Sequence, residues 1–344
     1  MNIKLPKEIV EPVTKNSLFS SLIASVLVVF LINLAAIVYL KNNTTNRGYW
    51  LLKEKWEMLF NLQQPVDWLL LGDSSCNQGV VPDIFDKKLE VKSINLCTLG
   101  NMSSLDDAWM LNQYIKRFGA PKNVLIVHTY SAWDSDISLS LIAKTPLDWG
   151  YWQQMEPPLS FDKKDTFQLF INRYLPLYSE NQTLASLIKD PVSYYQLNRS
   201  FQLDESGFMI WEQADVEQVK KKTEWHIKTY SNKQFNLTKH NHQALETIAE
   251  LAQQHNFNVY LANAPIYQGL YAQDTFRSYY RQIQDTLNNY AANSERVNYI
   301  LQQPMTFPQE QMENTDHVTY TGAQRYTEKL ASEIYSLQKI KERN

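Results

Sequence analysis

The chain has 344 residues, 44% of them hydrophobic and 20% charged, with a formal net charge of −3. It is long enough to bury one large core or two modest ones, and its balance excludes a disordered chain, a collagen-like one and a strongly basic nucleic-acid binder. With only two Cys, a disulfide-dense scaffold and a four-thiolate zinc site are also excluded. No His-x-x-x-His or Cys-x-x-Cys pair suggests another metal centre, and no phosphate loop or dinucleotide fingerprint follows any predicted strand, so no cofactor is expected.

After a 17-residue tail (1–17), residues 18–40 read LFSSLIASVLVVFLINLAAIVYL, without a single charge. At ~1.5 Å per residue this stretch spans the ~30 Å hydrocarbon layer. A secretory signal has an apolar run of only ~7–15 residues and then a small-residue cleavage site. Here the run is longer and ends in Val38-Tyr39-Leu40, so a retained anchor is preferred over a cleaved signal. Lys4, Lys7 and Lys15 precede the span, and Lys41, Arg47, Lys53 and Lys55 follow it. That count does not fix the orientation. The short tail and long C-terminal part resemble a signal-anchor protein, which would place the bulk outside the cytoplasmic membrane as a single-pass protein.

Residues 41–63 form a juxtamembrane segment. KNNTTNR (41–47) reads as a polar linker, and residues 48–62 carry Trp50, Leu51, Trp56, Leu59 and Phe60 near helical spacing. That helix could lie on the membrane or pack on the domain, and packing is the preferred reading. From residue 64 to 340, short apolar runs alternate with helical stretches. The runs at 66–71, 93–97, 123–127, 257–262 and 297–301 read as strands, and 104–118, 241–255, 272–291 and 323–339 as helices. This is the pattern of an α/β domain with a central parallel sheet, whose strand C-termini share one ligand-binding edge. Residues 134–238 interrupt the rhythm. They hold Trp149, Trp152, Trp211 and Trp225 and read as an insertion capping the strand ends, or else as a purely structural appendage.

The first strand runs into Gly72-Asp73-Ser74. Gly permits a tight turn, and Ser at a helix start exposes its hydroxyl while its N–H can face an oxyanion. Asp and Ser also cap ordinary helices, so the string alone is weak. At the other end, Asp316-His317-Val318-Thr319-Tyr320-Thr321-Gly322 precedes the last helix. Imidazole titrates near neutrality and can take a serine proton and return it to a leaving group. Cys76 falls just after the first strand and Cys97 at the end of the second; they either pair or stay as buried thiols, and Ser74 holds the nucleophile position.

Together these blocks resemble the SGNH (GDSL-like) hydrolase superfamily, in particular its bacterial cell-envelope branch, which includes proteins similar to DltD and to the alginate acetylation proteins. The resemblance implies a flavodoxin-like three-layer domain. Ser74 would be the nucleophile, His317 the base, and the Ser74 and Gly100 amides the oxyanion hole. Two departures stand out. The Asp expected three residues before the His is Asn314, which leaves Asp316, Asn314 or Glu313 to orient the ring. The third block is His128-Thr129-Tyr130-Ser131, which lacks the family's Asn donor.

The resemblance further implies an O-acyltransferase or esterase acting on an acylated glycan or cell-envelope polysaccharide, beside a membrane-bound O-acyltransferase of the MBOAT type. The insertion's aromatics would offer sugar-stacking faces. A non-catalytic scaffold on the same fold, binding a polymer or the membrane partner, is the alternative. A secreted lipase released by signal cleavage is a third reading.

Overall fold

The computed structural model describes residues 15–200, 202–230 and 233–343; most of the expected N-terminal tail lies outside them. The first described elements are a long helix, α1 (Lys15–Asn43), and a second, α2 (Arg47–Asn61). The domain then runs β1 (Trp68–Gly72), α3 (Ser74–Gly79), α4 (Pro82–Leu89), β2 (Ser93–Asn95), α5 (Ser103–Phe118) and β3 (Asn123–His128). Six helices fill the expected insertion: α6 (Leu139–Lys144), α7 (Lys163–Tyr174), α8 (Pro176–Ser179), α9 (Asn181–Lys189), α10 (Pro191–Ser200) and α11 (Val216–Tyr230). The sheet resumes after α12 (Lys239–His255) with β4 (Asn258–Asn263). A short β5 (Ile266–Tyr267), α13 (Gln268–Tyr271), α14 (Asp274–Ala292), β6 (Val297–Ile300), β7 (Thr306–Phe307) and α15 (Tyr320–Arg343) complete the chain.

Five strands form one parallel sheet in the order β2-β1-β3-β4-β6, while β5 and β7 pair separately. Because successive side chains alternate across a strand, the apolar runs feed two cores. Leu69, Leu71, Val124, Ile126, Val259 and Leu261 face one core with α5, α12 and α14. Trp68, Leu70, Leu125, Val127, Tyr260 and Ala262 face the other with α3, α4 and α15. The α/β arrangement agrees with the sequence pattern, and the five predicted strands and four predicted domain helices lie within a few residues of their expected bounds, whereas α3, α4, α13, β5, β7 and the helices of the insertion have no predicted bounds.

The strand order reverses direction between β1 and β3, the switch point beyond whose strand C-termini open parallel sheets form their ligand-binding crevice. Gly72 makes the turn at that edge. Its φ of +137° is in the region glycine tolerates, and a Cβ added there would overlap the Val127 carbonyl oxygen on β3. Gly72→Ala is therefore expected to destabilise the domain by roughly 3 kcal/mol or more. Urea unfolding of the purified protein checks this, and an unchanged midpoint would contradict the described turn.

The juxtamembrane segment differs in detail from the expected linker. α1 continues through Lys41 to Asn43, and Asn46 then caps α2 by accepting the Tyr49 N–H at 3.1 Å. α2 packs on the domain, with Leu52, Trp56 and Leu59 buried in its core. Lys55 on the same helix is fully buried. Its ammonium donates to the Asn95 carbonyl at 2.7 Å and to the Gly207 carbonyl, and burial pushes its pKa well down.

The insertion divides in two. Residues 204–230 do lie over the strand ends: the Ser206 carbonyl accepts from Asn95 N–H at 2.8 Å, and the Trp211 carbonyl from Tyr320 N–H at 2.6 Å. Helices α6–α10 pack mainly on one another and against α1 and α2, while α6 also meets residues 100–102 after β2, and Leu141, Ile142 and Leu169 join the first core.

Candidate active site

Four connections meet at the crevice: the turn after β1, the loop after β2, the loop after β3, and residues 312–319 before α15. Asp73 organises the first. It is fully buried, and it caps α3 by accepting the Ser75 N–H at 2.9 Å. Its other oxygen accepts the Thr129 N–H at 2.8 Å, joining the β1 and β3 turns. Ser74 is thereby the first residue of α3.

Ser74 Oγ lies 2.8 Å from His317 Nε2. Across the ring, Nδ1 lies 3.0 Å from Asp316 Oδ1 and 3.1 Å from Asn314 Oδ1. Two residues 243 apart in sequence thus share a hydrogen bond at one sheet edge. Neighbouring residues on an extended chain point apart, so the Asp316–His317 contact needs a tight loop. The chain supplies one. Asn314 Oδ1 accepts the backbone N–H groups of Asp316 at 3.0 Å and His317 at 3.2 Å. The Glu313 N–H bonds back to the His317 carbonyl at 2.9 Å, and Met312 and Val318 form an antiparallel bridge. Asn314 therefore folds the loop and touches the ring, while Asp316 supplies the charge. Thr129 Oγ1 donates to the second Asp316 oxygen at 3.0 Å, fixing the carboxylate's plane.

Glu313, the third orienting candidate, does not contact the imidazole. It accepts from Gln78 Nε2 of α3 at 2.9 Å and pairs with Arg47 at 3.6 Å. Arg47 in turn stacks 4.8 Å over the Trp211 ring. Arg47 and Trp211 line a cleft of about 640 Å³, together with Thr45, Leu197, Phe208 and Met209.

Burial works against charging His317. The Asp316 carboxylate outweighs it, with smaller help from Glu313 and Asp73, and raises the imidazole pKa above its usual 6.5. Burial would raise the Asp316 pKa, but the adjacent imidazole holds it well below the ordinary carboxylate range. A base must be neutral to accept a proton, so kcat/KM for any reaction at Ser74 should fall as the pH drops through a value above 6.5. Asp316→Asn should move that acidic limb to lower pH. A pH–rate profile with the limb at or below 6 in the wild type would contradict this electrostatic account.

Among the described residues, no hydrogen bond occupies the Ser74 or Gly100 amides. Gly100 opens a 3-10 turn (Gly100–Met102), and a Cβ built on it would lie 3.7 Å from Asp73 Oδ2 and 3.6 Å from the Ala132 Cβ. The two turns that carry these amides are therefore adjacent. Cys76 and Cys97 are bonded to each other, linking α3 to the segment that leads to Gly100. Ser103, which follows the 3-10 turn, has φ 55° and ψ −170°, a region almost confined to glycine. Backbone strain is thus stored at the end of the turn that carries the Gly100 amide.

Three contributors were not singled out as site residues from the sequence. Thr129 holds Asp316 in the place where the family's Asn donor was expected to be absent. His128 is buried, with Nε2 2.6 Å from Asp107 Oδ2 and Nδ1 3.5 Å from Asp73 Oδ2. Burial opposes its charge, but Asp107 and then Asp73 prevail and raise its pKa to about 10. His226, on α11 of the insertion, lies 2.7 Å from the Tyr130 hydroxyl and 3.0 Å from the Thr315 hydroxyl. Burial lowers its pKa to about 4, so it is a neutral prop beneath the loop. The position of His128 at the C-terminal end of a central strand was a usable clue. For His226, inside an irregular helical insertion, none existed.

No protein-family model and no curated protein matches the chain. A solved structure from Streptococcus pneumonia, provisionally described as a platelet activating factor, is similar at 9% identity and a TM-score of 0.37. That match covers 87% of this chain and 97% of the other. So distant a likeness bears on neither the fold nor the site.

Proposed function

We propose that the chain is a membrane-anchored SGNH-like serine O-acyltransferase or esterase. The observation that carries this reading is the 2.8 Å contact between Ser74 Oγ and His317 Nε2, backed by Asp316 at the topological switch point. Ser74 Oγ would attack the carbonyl carbon of an acyl donor as its proton passes to His317 Nε2. The carbonyl electron pair would move onto oxygen, facing the Ser74 and Gly100 amides and the positive end of α3. Collapse would break the bond to the donor's alkoxide, which takes the proton from His317. An acceptor hydroxyl, or water, would then repeat the sequence and free Ser74.

The acceptor we favour is a cell-envelope polysaccharide, with an MBOAT-type membrane acyltransferase as the donor's source. Both rest on the resemblance of the Gly72-Asp73-Ser74 and Asp316-His317 blocks. α1 is long and apolar enough to cross a membrane, and 11% of its most apolar window is buried, which fits a single-pass anchor. Asn33, Ala36 and Leu40 are buried, and Asn33 donates to the Tyr174 carbonyl at 2.6 Å. A cleaved signal would not need that packing. The Cys76–Cys97 bond fits an oxidising, extracytoplasmic location for the domain.

A non-catalytic scaffold draws support from one observation: Thr129 gives its hydroxyl to Asp316, so the β3 loop offers no Asn-type side-chain donor to an oxyanion. A fluorophosphonate probe separates the two readings. The full-length protein should be labelled and Ser74→Ala should not. Equal labelling of both, or of neither, would remove Ser74 from the chemistry.

A further inference from the structure

Outside α1, sixteen large apolar side chains are exposed among the described residues, and ten of them lie between 167 and 210. The α/β domain proper buries such side chains in its two cores. Helices α7–α10 instead turn Phe170, Leu177, Tyr178, Ile188 and Val192 outward, and Ile188 is 81% exposed. Scattered exposed apolar residues are ordinary, whereas a contiguous set marks an interaction surface. Charge is sparse there. From 167 to 203 the charged residues are Arg173, Glu180, Lys189, Asp190 and Arg199. Two of these turn inward: Glu180 pairs with Lys144 and accepts from Thr44 Oγ1 at 3.1 Å, and Arg173 donates to the Ala143 and Leu147 carbonyls.

What covers this surface follows from where it is attached. Asn33, Ala36 and Leu40 make one helical stripe on α1, and all three are buried. The Asn33 amide reaches the Tyr174 carbonyl at the α7–α8 junction. Leu40 closes the uncharged run, so Asn33 lies seven residues, or about 10 Å, inside it along the helix axis. Higher on α1, the Tyr194 hydroxyl bonds the Asn43 carbonyl, and the Tyr39 and Tyr195 hydroxyls are 3.3 Å apart. If α1 spans a bilayer, the chain at Tyr174 is below the hydrocarbon boundary on the side where α1 emerges. Helices α8 and α10, which touch α1 directly, then lie against the same leaflet that α1 leaves.

We propose that α7–α10 form a collar seated in one leaflet of the membrane, so that the protein is held by its spanning helix and by this monotopic surface together. Tyr178 and Tyr195, half-apolar rings, suit the headgroup boundary. The collar would carry the crevice and the Arg47–Trp211 cleft at a fixed height over the bilayer, in place of a domain swinging on a linker. The aromatics of this part of the insertion then meet lipid, not sugar.

The test uses the full-length protein in phosphatidylcholine vesicles, with one cysteine added at a time: I188C, V192C, L34C in α1, and E328C on the exposed face of α15. Each is tagged with an environment-sensitive fluorophore. The native cysteines are bonded to each other and buried. Quenching by chain-nitroxide lipid at 188 and 192 is expected within about twofold of that at 34, with iodide quenching about fivefold or more below that at 328. Iodide quenching at 188 and 192 equal to that at 328 would overturn the proposal. So would shielding from both quenchers, which would place protein on this face. Loss of lipid quenching at 34 itself would instead reject α1 as a spanning helix.

Discussion

His317→Ala is expected to lower kcat/KM for p-nitrophenyl acetate by about 10⁴–10⁶-fold, on the order of 5–8 kcal/mol of barrier. The size follows from the geometry. The Ser74 hydroxyl has its 2.8 Å contact with this ring, and without a base it remains a poor nucleophile. Ser74→Ala should fall to the same level, and the double variant no further, because residues that act as one unit are not additive. Asp316→Asn should cost about 10³–10⁴-fold by weakening the imidazolium and releasing the ring's tautomer. Asn314→Ala should cost less in charge than in position, since its oxygen holds the loop turned and only shares the Nδ1 proton. Equal activity in wild type and His317→Ala, measured on homogeneous protein, would contradict the assignment of the base.

The second large effect concerns stability. His128→Ala should destabilise the domain by about 3–5 kcal/mol, because it leaves the buried Asp73 and Asp107 carboxylates without their shared cation. The sign with pH is fixed by the raised pKa. The contribution of His128 is complete below its ordinary value of 6.5 and is lost as the pH rises through about 10. Wild-type unfolding free energy should therefore decline across that window, and His128→Ala should flatten the decline. Urea titrations at both ends of the window check it. A variant as stable as the wild type at pH 6 would show that the two aspartates do not need the imidazolium. Asp73 also caps α3 and receives the Thr129 amide, so this variant should lose activity as well, through Ser74's support.

The sheet was legible because a buried parallel strand is an apolar run and little else satisfies its two-sided burial. Leu69–Leu71, Val124–Val127 and Val259–Ala262 announced themselves in this way. Ser74 and His317 were legible because each stands at a chain switch, one at a strand end and one just before the last helix. The orienting group was not. Asp316, Asn314 and Glu313 were all candidates, and choosing among them required the side-chain bonds of the loop, which no spacing rule contains. The insertion was hardest. Its helices split their apolar residues between the main core, as Leu141, Ile142 and Leu169 do, and exposed faces such as Ile188 and Val192, so no single period marks them. His226 shows the same limit: a lone histidine on α11 becomes part of the site only because α11 folds back across the strand ends.

The account rests on an ester forming at Ser74 with His317 as its base. The most direct measurement is rapid-quench mass spectrometry of the full-length protein mixed with p-nitrophenyl acetate below neutral pH, where deacylation is slow. The account predicts one acetyl group on the peptide that contains Ser74, and none in Ser74→Ala or His317→Ala. Hydrolysis of the substrate with no adduct on that peptide, or an adduct that persists undiminished in His317→Ala, would contradict it.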